Sequence, residues 1–287
     1  MFWKALGDFI LPRTCLVCGR RLGLREEFLC LHCLADLPLT RNWERPHNPM
    51  ADQYNALVER LRGDVPELYA QATSLLYYKV ESPYKAIPQA LKYHGNVEAG
   101  RHFGAMLGRY MAACEHWASV DTVIPVPLHR RRKWLRGYNQ AEVLAREIAT
   151  ALGATLRTDV LLRPHRTPSQ TRLSASERLR NVSGAFEMKL PAGAGRLSSG
   201  DVASAGGVAS HDGAASPDGL SSHDGAALPD GVASSGSRGR AFEPRHILLV
   251  DDTFTTGATL AACHQTIRAA LGPSVRISVA TLAAVSG

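Results

Sequence analysis

Apolar residues in this chain fall into short runs of strand length, separated by stretches whose apolar positions recur with a helical period. The runs at 72–80 (ATSLLYYKV), 120–127 (VDTVIPVP), 159–164 (DVLLRP), 182–190 (VSGAFEMKL), 245–252 (RHILLVDD) and 275–285 (VRISVATLAAV) read as strands. Residues 139–153 (NQAEVLAREIATALG) and 258–272 (ATLAACHQTIRAALG) read as amphipathic helices. Strands alternating with helices predict an α/β fold, with a mostly parallel sheet and helices on both faces.

Two regions depart from this rhythm. Residues 191–240 hold 11 of the 25 glycines, no aromatic residue and an imperfect repeat beginning at His211 and again at His223. Such a stretch buries too little apolar surface to offset its ordering entropy, and it reads as a disordered low-complexity insertion between two strands. A polar, Pro-containing stretch, 41–71, reads as a linker. The expected organisation is therefore an N-terminal helix and cysteine module over 1–40, the linker, and one large domain over 72–287.

Four of the six cysteines form two Cys-x-x-Cys pairs, Cys15 with Cys18 and Cys30 with Cys33, eleven residues apart. Each such turn can aim two thiolates at one centre, and two turns complete a closed tetrahedral shell for a structural Zn2+ in a zinc-ribbon-like module. Two redox pairs and plain buried thiols also fit the spacing. His32, between the second pair, is expected to point away, while Cys114 and Cys263 sit among apolar neighbours as core residues. The amphipathic start of the chain reads as a short helix ending at Pro12. It lacks the apolar core of a signal peptide, and no run reaches the roughly 18 apolar residues of a membrane span, so a cytoplasmic protein is expected.

The formal charge of +7 makes an anionic partner plausible without naming it. The segment from His246 is more specific. An apolar strand ends in Asp251 and Asp252, passes through a turn with Thr253, Thr255, Thr256, Gly257 and Thr259, and enters a helix. Backbone N–H groups, hydroxyls and the positive helix end suit a phosphate. Two adjacent acids repel each other at a bare phosphate site, whereas a sugar diol beside the phosphate gives them a role. A receiver-like magnesium pocket and a plain capped helix fit the acids but not the threonine-rich turn. The lysine of a Walker-type loop is absent.

A basic run follows the strand that ends at Pro127: Arg130, Arg131, Arg132, Lys133 and Arg136, then Gly137, Tyr138, Asn139 and Gln140. Alone it suits a dense anion or, with its aromatics, single-stranded nucleic acid.

The acid-and-threonine turn resembles the phosphoribosyl pyrophosphate motif of type I phosphoribosyltransferases. Pro125-Val-Pro-Leu-His followed by Arg136-Gly-Tyr-Asn-Gln, the 167–186 phrase containing Gln170, Arg178 and Asn181, and Leu91-Lys92-Tyr93-His-Gly95 resemble the ComF family. The resemblance implies a type I phosphoribosyltransferase-like fold that binds phosphoribosyl pyrophosphate with Mg2+. Asp251 and Asp252 would hold the ribose and the threonine turn the 5-phosphate. The basic loop would hold pyrophosphate, Gln170, Arg178 and Asn181 would belong to a mobile hood, and Lys92 and Arg136 would be catalytic. It implies transfer of the phosphoribosyl group to an unknown base or amine acceptor. A non-catalytic sensor that contacts single-stranded DNA or competence proteins is the other reading, since ComF relatives are associated with DNA uptake. Two departures stand out: Pro88 falls inside the helix expected before Lys92, and Phe254 occupies a position where a smaller residue is expected.

Overall fold

A computed structural model describes residues 13–62, 67–79, 81–93, 95–164, 184–190 and 242–285. The expected N-terminal helix, the hood residues Gln170, Arg178 and Asn181, and the 191–240 insertion lie outside the described residues.

Five strands form one parallel sheet: β1 (Ala72–Tyr78), β2 (Thr122–Pro125), β3 (Thr155–Leu156), β6 (His246–Phe254) and β7 (Arg276–Val285), in the order β1-β7-β6-β2-β3. The central strand β6 shows why the sheet is covered on both sides. Side chains alternate across a strand, so Leu248 and Val250 join one apolar cluster and Ile247 and Leu249 the other, all fully buried.

The first face is covered by α3 (Ala86–Tyr93), α4 (Val97–Ala112) and α6 (Gln140–Leu152), which bring Leu91, Phe103, Leu107 and Ile148 into that cluster. Burying each such side chain contributes about 1.5–3 kcal/mol. Helices α4 and α6 approach closely because Gly104 and Gly108 line the contact. A Cβ on Gly108 would lie 2.8 Å from that of Ala151. Pro88 causes no break, because it stands in the first turn of α3, where backbone N–H groups lack helical partners anyway. The second face is covered by α7 (Ala258–Leu271) and α2 (Pro49–Arg62).

Helix α2 corrects the expectation of a linker over 41–71. Its apolar positions Met50, Ala51, Tyr54 and Val58 share one face and are buried against the sheet and α7. Asn48 starts it: its Oδ1 accepts from Ala51 N at 3.0 Å, and its amide donates to Ala72 O on β1 at 3.0 Å. Beneath α7 lies a buried polar group, with Tyr54 Oη 3.1 Å from His264 Nδ1 and His264 Nε2 3.2 Å from Glu67, which also pairs with Arg268.

Among the described residues, the runs at 159–164 and 182–190 add no parallel strand. They contribute β4 (Leu161–Leu162) and β5 (Glu187–Met188), an antiparallel pair outside the main sheet.

The cysteine segment, with the short helix α1 (Leu31–Ala35), packs its buried Cys15, Cys30 and Cys33 in the same cluster as Leu75 and Phe103. Just beyond it, Thr40 N donates to Leu75 O and Tyr77 N to Pro38 O, at 3.1 and 2.8 Å, so residues 38–40 cover the outer edge of β1.

Candidate functional site

In an open parallel sheet, ligand clefts form outside the carboxyl ends of the strands. Here a cleft of about 490 Å³ is lined by Asp251, Asp252 and Thr253 from β6, and by Thr255 and Thr259 around the start of α7. The two acids differ. Asp251 Oδ1 accepts from Asp252 N at 2.8 Å; burial first, then the charge of Asp252, raises its pKa to about 7. Asp252 pairs with Lys92 Nζ at 2.9 Å, and the same Nζ lies 3.0 Å from Thr253 Oγ1.

The other turn residues hold the geometry rather than line the cleft. Thr256 Oγ1 accepts from Ala258 N at 3.5 Å, and Gly257 precedes α7 with φ 74°. Phe254 explains itself here. It is buried, and a Cβ on Gly257 would come within 2.8 Å of its ring, so glycine is required by both conformation and space.

Lys92 reaches the acids from the last turn of α3, and that turn is fixed from behind. Tyr138 donates its hydroxyl to Leu91 O, and Gln140 Nε2 donates to the same carbonyl at 3.4 Å. Asn139 starts α6, its Oδ1 accepting from Ala141 N at 3.2 Å, and ties it to the end of β2 through Nδ2 to Val126 O at 3.0 Å. Tyr138 thus positions the lysine helix, whereas Asn139 and Gln140 both position neighbours and line the cleft.

The basic run is not a loop. Residues Arg130–Arg136 form a short helix, α5, entered at His129, whose side chain accepts from Arg131 N, and closed by Gly137 with φ 79°. The turn-forming Pro127 and the left-handed Gly137 bound a run of good helix formers, so local propensity favours a helix. Only Arg132 and Arg136 of its cations line the cleft. Arg130, Arg131 and Lys133 are exposed; Lys133 lies 3.6 Å from Glu142.

Sequence reasoning missed one residue. Arg163, just after β4, lines the same cleft with its guanidinium 5.1 Å from the Phe186 ring. The signal was an arginine closing an apolar run, DVLLRP, whose partner Phe186 lies 23 positions on.

The cysteine cluster is separate. All four Sγ atoms of Cys15, Cys18, Cys30 and Cys33 lie within 4.8 Å of one another, and none is in a disulfide. Cys18 and Cys30 Sγ are 3.7 Å apart. A tetrahedron with metal–sulfur bonds of about 2.3 Å has edges of about 3.8 Å, so the group fits one cation. The thiols also compete. Burial opposes ionisation of Cys15, but backbone N–H groups of Cys18, Cys30 and Val17 outweigh it and bring its pKa down to about 6; burial and then the other three thiols push Cys33 up. His32 is exposed.

The molecule is therefore an α/β protein with a cleft of mixed charge at the carboxyl edge of a parallel sheet and a four-thiol cluster suited to a metal ion. No family model matches the chain. Part of it is homologous to proteins of DNA utilization and competence. It is 39% identical over 71 residues to the DNA utilization protein YhgH of Salmonella typhi, covering 25% of this chain and 31% of that protein. It is 37% identical over 68 residues to Competence protein F of Haemophilus influenzae, covering 24% of this chain and 30% of that one. The match to YhgH of Escherichia coli strain K12 is 37% over 71 residues, covering 25% of this chain and 31% of that protein. The chain thus matches about a third of the length of these relatives. Among the described residues no helix is long and apolar enough to cross a membrane.

Proposed function

We propose that this chain is a ComF-type, phosphoribosyltransferase-like protein that binds phosphoribosyl pyrophosphate with magnesium and transfers the phosphoribosyl group to a base or amine acceptor. The observation that carries the reading is the junction of β6 and α7. Asp252 and Thr253 face Lys92, and Thr255, Thr259 and two arginines of α5, Arg132 and Arg136, line the same cleft. A diol, a phosphate and a second, denser anion would each meet groups of matching chemistry there.

In this reading Asp251 and Asp252 accept the ribose hydroxyls, directly or through the metal, and the turn from Thr253 to Thr259 donates to the 5-phosphate. Arg132 and Arg136 stabilise negative charge gathering on pyrophosphate as its bond to the anomeric carbon breaks and the bond to the acceptor forms. Lys92 shifts from Asp252 toward the ligand. Magnesium would supply charge neutralisation on the pyrophosphate oxygens. Cys15, Cys18, Cys30 and Cys33 hold a structural zinc away from this chemistry. The names of the relatives support a role connected with DNA uptake or use.

Calorimetric titration with phosphoribosyl pyrophosphate and magnesium tests the site. Asp252→Asn loses charge-strengthened hydrogen bonds worth roughly 1.5–3 kcal/mol, so affinity should fall about tenfold to a hundredfold. Wild-type affinity in both Asp251→Asn and Asp252→Asn would overturn the assignment. Pyrophosphate release across a panel of bases and amines then separates an enzyme from a sensor. The sensor reading, with single-stranded DNA as partner, draws on Trp134, which is 83% exposed among the cations of α5; salt-sensitive DNA binding lost in Trp134→Ala would support it.

A further inference from the structure

The sheet has a second cavity at its amino edge, at the opposite end of the strands from the acid-and-threonine cleft. It encloses about 890 Å³, against about 490 Å³ for that cleft. Asp121 lies just before β2, Arg157 just after β3, Phe242 and Arg245 before β6, and Arg276 at the start of β7, and all five line the cavity.

Arg157 is held in one plane. Its Nε and Nη2 donate to the two carboxylate oxygens of Asp159, each at 2.9 Å, and its guanidinium lies 4.6 Å from the centre of the Phe242 ring. A guanidinium fixed by a carboxylate and a ring has a flat face suited to stacking on another planar group. Arg245 and Arg276 are the reverse. Both are exposed, and neither side chain makes a hydrogen bond or ion pair with another described residue. They start from neighbouring strands, with Arg276 N donating to Arg245 O at 2.8 Å, so two uncommitted guanidinium forks rise from adjacent backbone positions.

Asp121 brings the opposite charge. Its Oδ2 accepts from Arg245 N at 2.8 Å and His246 N at 3.2 Å, while its Oδ1 is buried with no donor among the described residues. A buried acceptor in that state gains from any N–H or O–H brought to it. Glu243 adds a second acid to the wall. Charges of both signs, a flat platform and uncommitted donors suit a ligand that joins a phosphate to a planar, donor-bearing heterocycle. A bare anion would leave the acids and the platform unused.

We propose that the amino-edge cavity is a nucleotide site, separate from the carboxyl-edge cleft. Arg245 and Arg276 take the phosphate, the heterocycle stacks on Arg157, and Asp121 Oδ1 accepts from the sugar or the ring. This site does not depend on the phosphoribosyl reading.

Calorimetric titration of the full chain with adenosine 5-monophosphate and with adenosine tests it, with melting temperature recorded for each variant. Wild type should bind the monophosphate at least about tenfold more tightly than adenosine. Arg245→Gln and Arg276→Gln replace exposed side chains and should melt like wild type. Each should weaken the monophosphate about tenfold and leave adenosine within about threefold. Arg157→Lys keeps the charge but loses the flat face, and should weaken both ligands alike, by at least about threefold. Asp252→Asn, at the other edge, should leave monophosphate affinity within about threefold of wild type. A wild type that does not bind the monophosphate overturns the proposal, as do unchanged affinities in the three arginine variants. Binding that Asp252→Asn abolishes and the arginine variants keep also overturns it, because the nucleotide then sits in the carboxyl-edge cleft. Failure of phosphoribosyl pyrophosphate to bind, with these losses intact, removes the phosphoribosyl reading and leaves the amino-edge site standing.

Discussion

Replacing Asp251 by Asn should stabilise the ligand-free protein at alkaline pH while it impairs ligand binding. Burial and the neighbouring Asp252 raise the pKa of this acid from 3.8 to about 7. Below pH 4 the folded and unfolded chains both hold the proton. Between about pH 4 and 7 only the folded chain does, so each rise in pH favours unfolding, and above pH 7 the full penalty applies. A displacement of that size amounts to on the order of 4 kcal/mol at about pH 8 and less than half of that at about pH 5. Asparagine keeps the acceptor that receives the Asp252 N–H and carries no charge, so its own burial cost does not vary with pH. The stability difference between variant and wild type should therefore widen by about 2–3 kcal/mol from about pH 5 to 8, roughly 5–10 °C in Tm. Thermal unfolding across that range, without ligand, reads it directly. Parallel pH profiles for the two proteins would show that the acid is not held neutral by its surroundings, and the account of the acid pair would fail.

Four further outcomes follow from the same structure. One metal ion per chain, zinc by the chemistry of four thiolates, should be found by elemental analysis of protein purified without chelator. Cys15→Ser should lower the melting temperature of the whole molecule, because Cys15, Cys30 and Cys33 pack with Leu75 and Phe103, so a variant that loses zinc yet melts like wild type would contradict this packing. Gly257→Ala should cost about 1–3 kcal/mol in urea unfolding before any ligand is added, from its φ of 74° and the 2.8 Å approach to Phe254; an unchanged midpoint would refute this. Glu67→Ala strips the partner from Arg268 and His264 and should cost about 3–5 kcal/mol at pH 7. Burial opposes the charge on Glu67, but His264 and Arg268 outweigh it and hold its pKa at about 2, so this gap should close as pH falls from about 4.5 toward 2.

The parts of this architecture that could be read from the sequence are those written locally. The apolar runs of β1, β6 and β7 are long and flanked by turns, and the Asp-Asp-Thr junction lies in one continuous segment, so pattern and chemistry coincide. Helix α2 was missed because only Met50, Ala51, Tyr54 and Val58 mark its buried face, in a stretch otherwise polar. Its start at Asn48 and Pro49 carries cap chemistry, which the polar residues around it mask. Arg163 was missed for another reason: an arginine closing an apolar run gains its meaning only from Arg132 and Asp251, which the fold brings to the same cleft from about 30 and 90 residues away. Likewise, Tyr138 reads as part of an anion loop until Leu91 O, 47 residues earlier, is found to accept its hydroxyl.

The pairing of β1 with β7 has a consequence for how the chain comes off the ribosome. Ala72 lies opposite Val279, so the strand made first in the sheet is joined by the strand made last. At about 5–20 residues per second, β1 waits roughly 10–40 s for its inner neighbour. Residues 38–40, which bond to its outer edge, are already synthesised by then and can shield one side of an apolar ribbon during that interval. The cysteine segment that leads into them would then act as an early clasp: a nascent chain short of metal would expose both edges of β1 at once, and aggregation during synthesis would be the result.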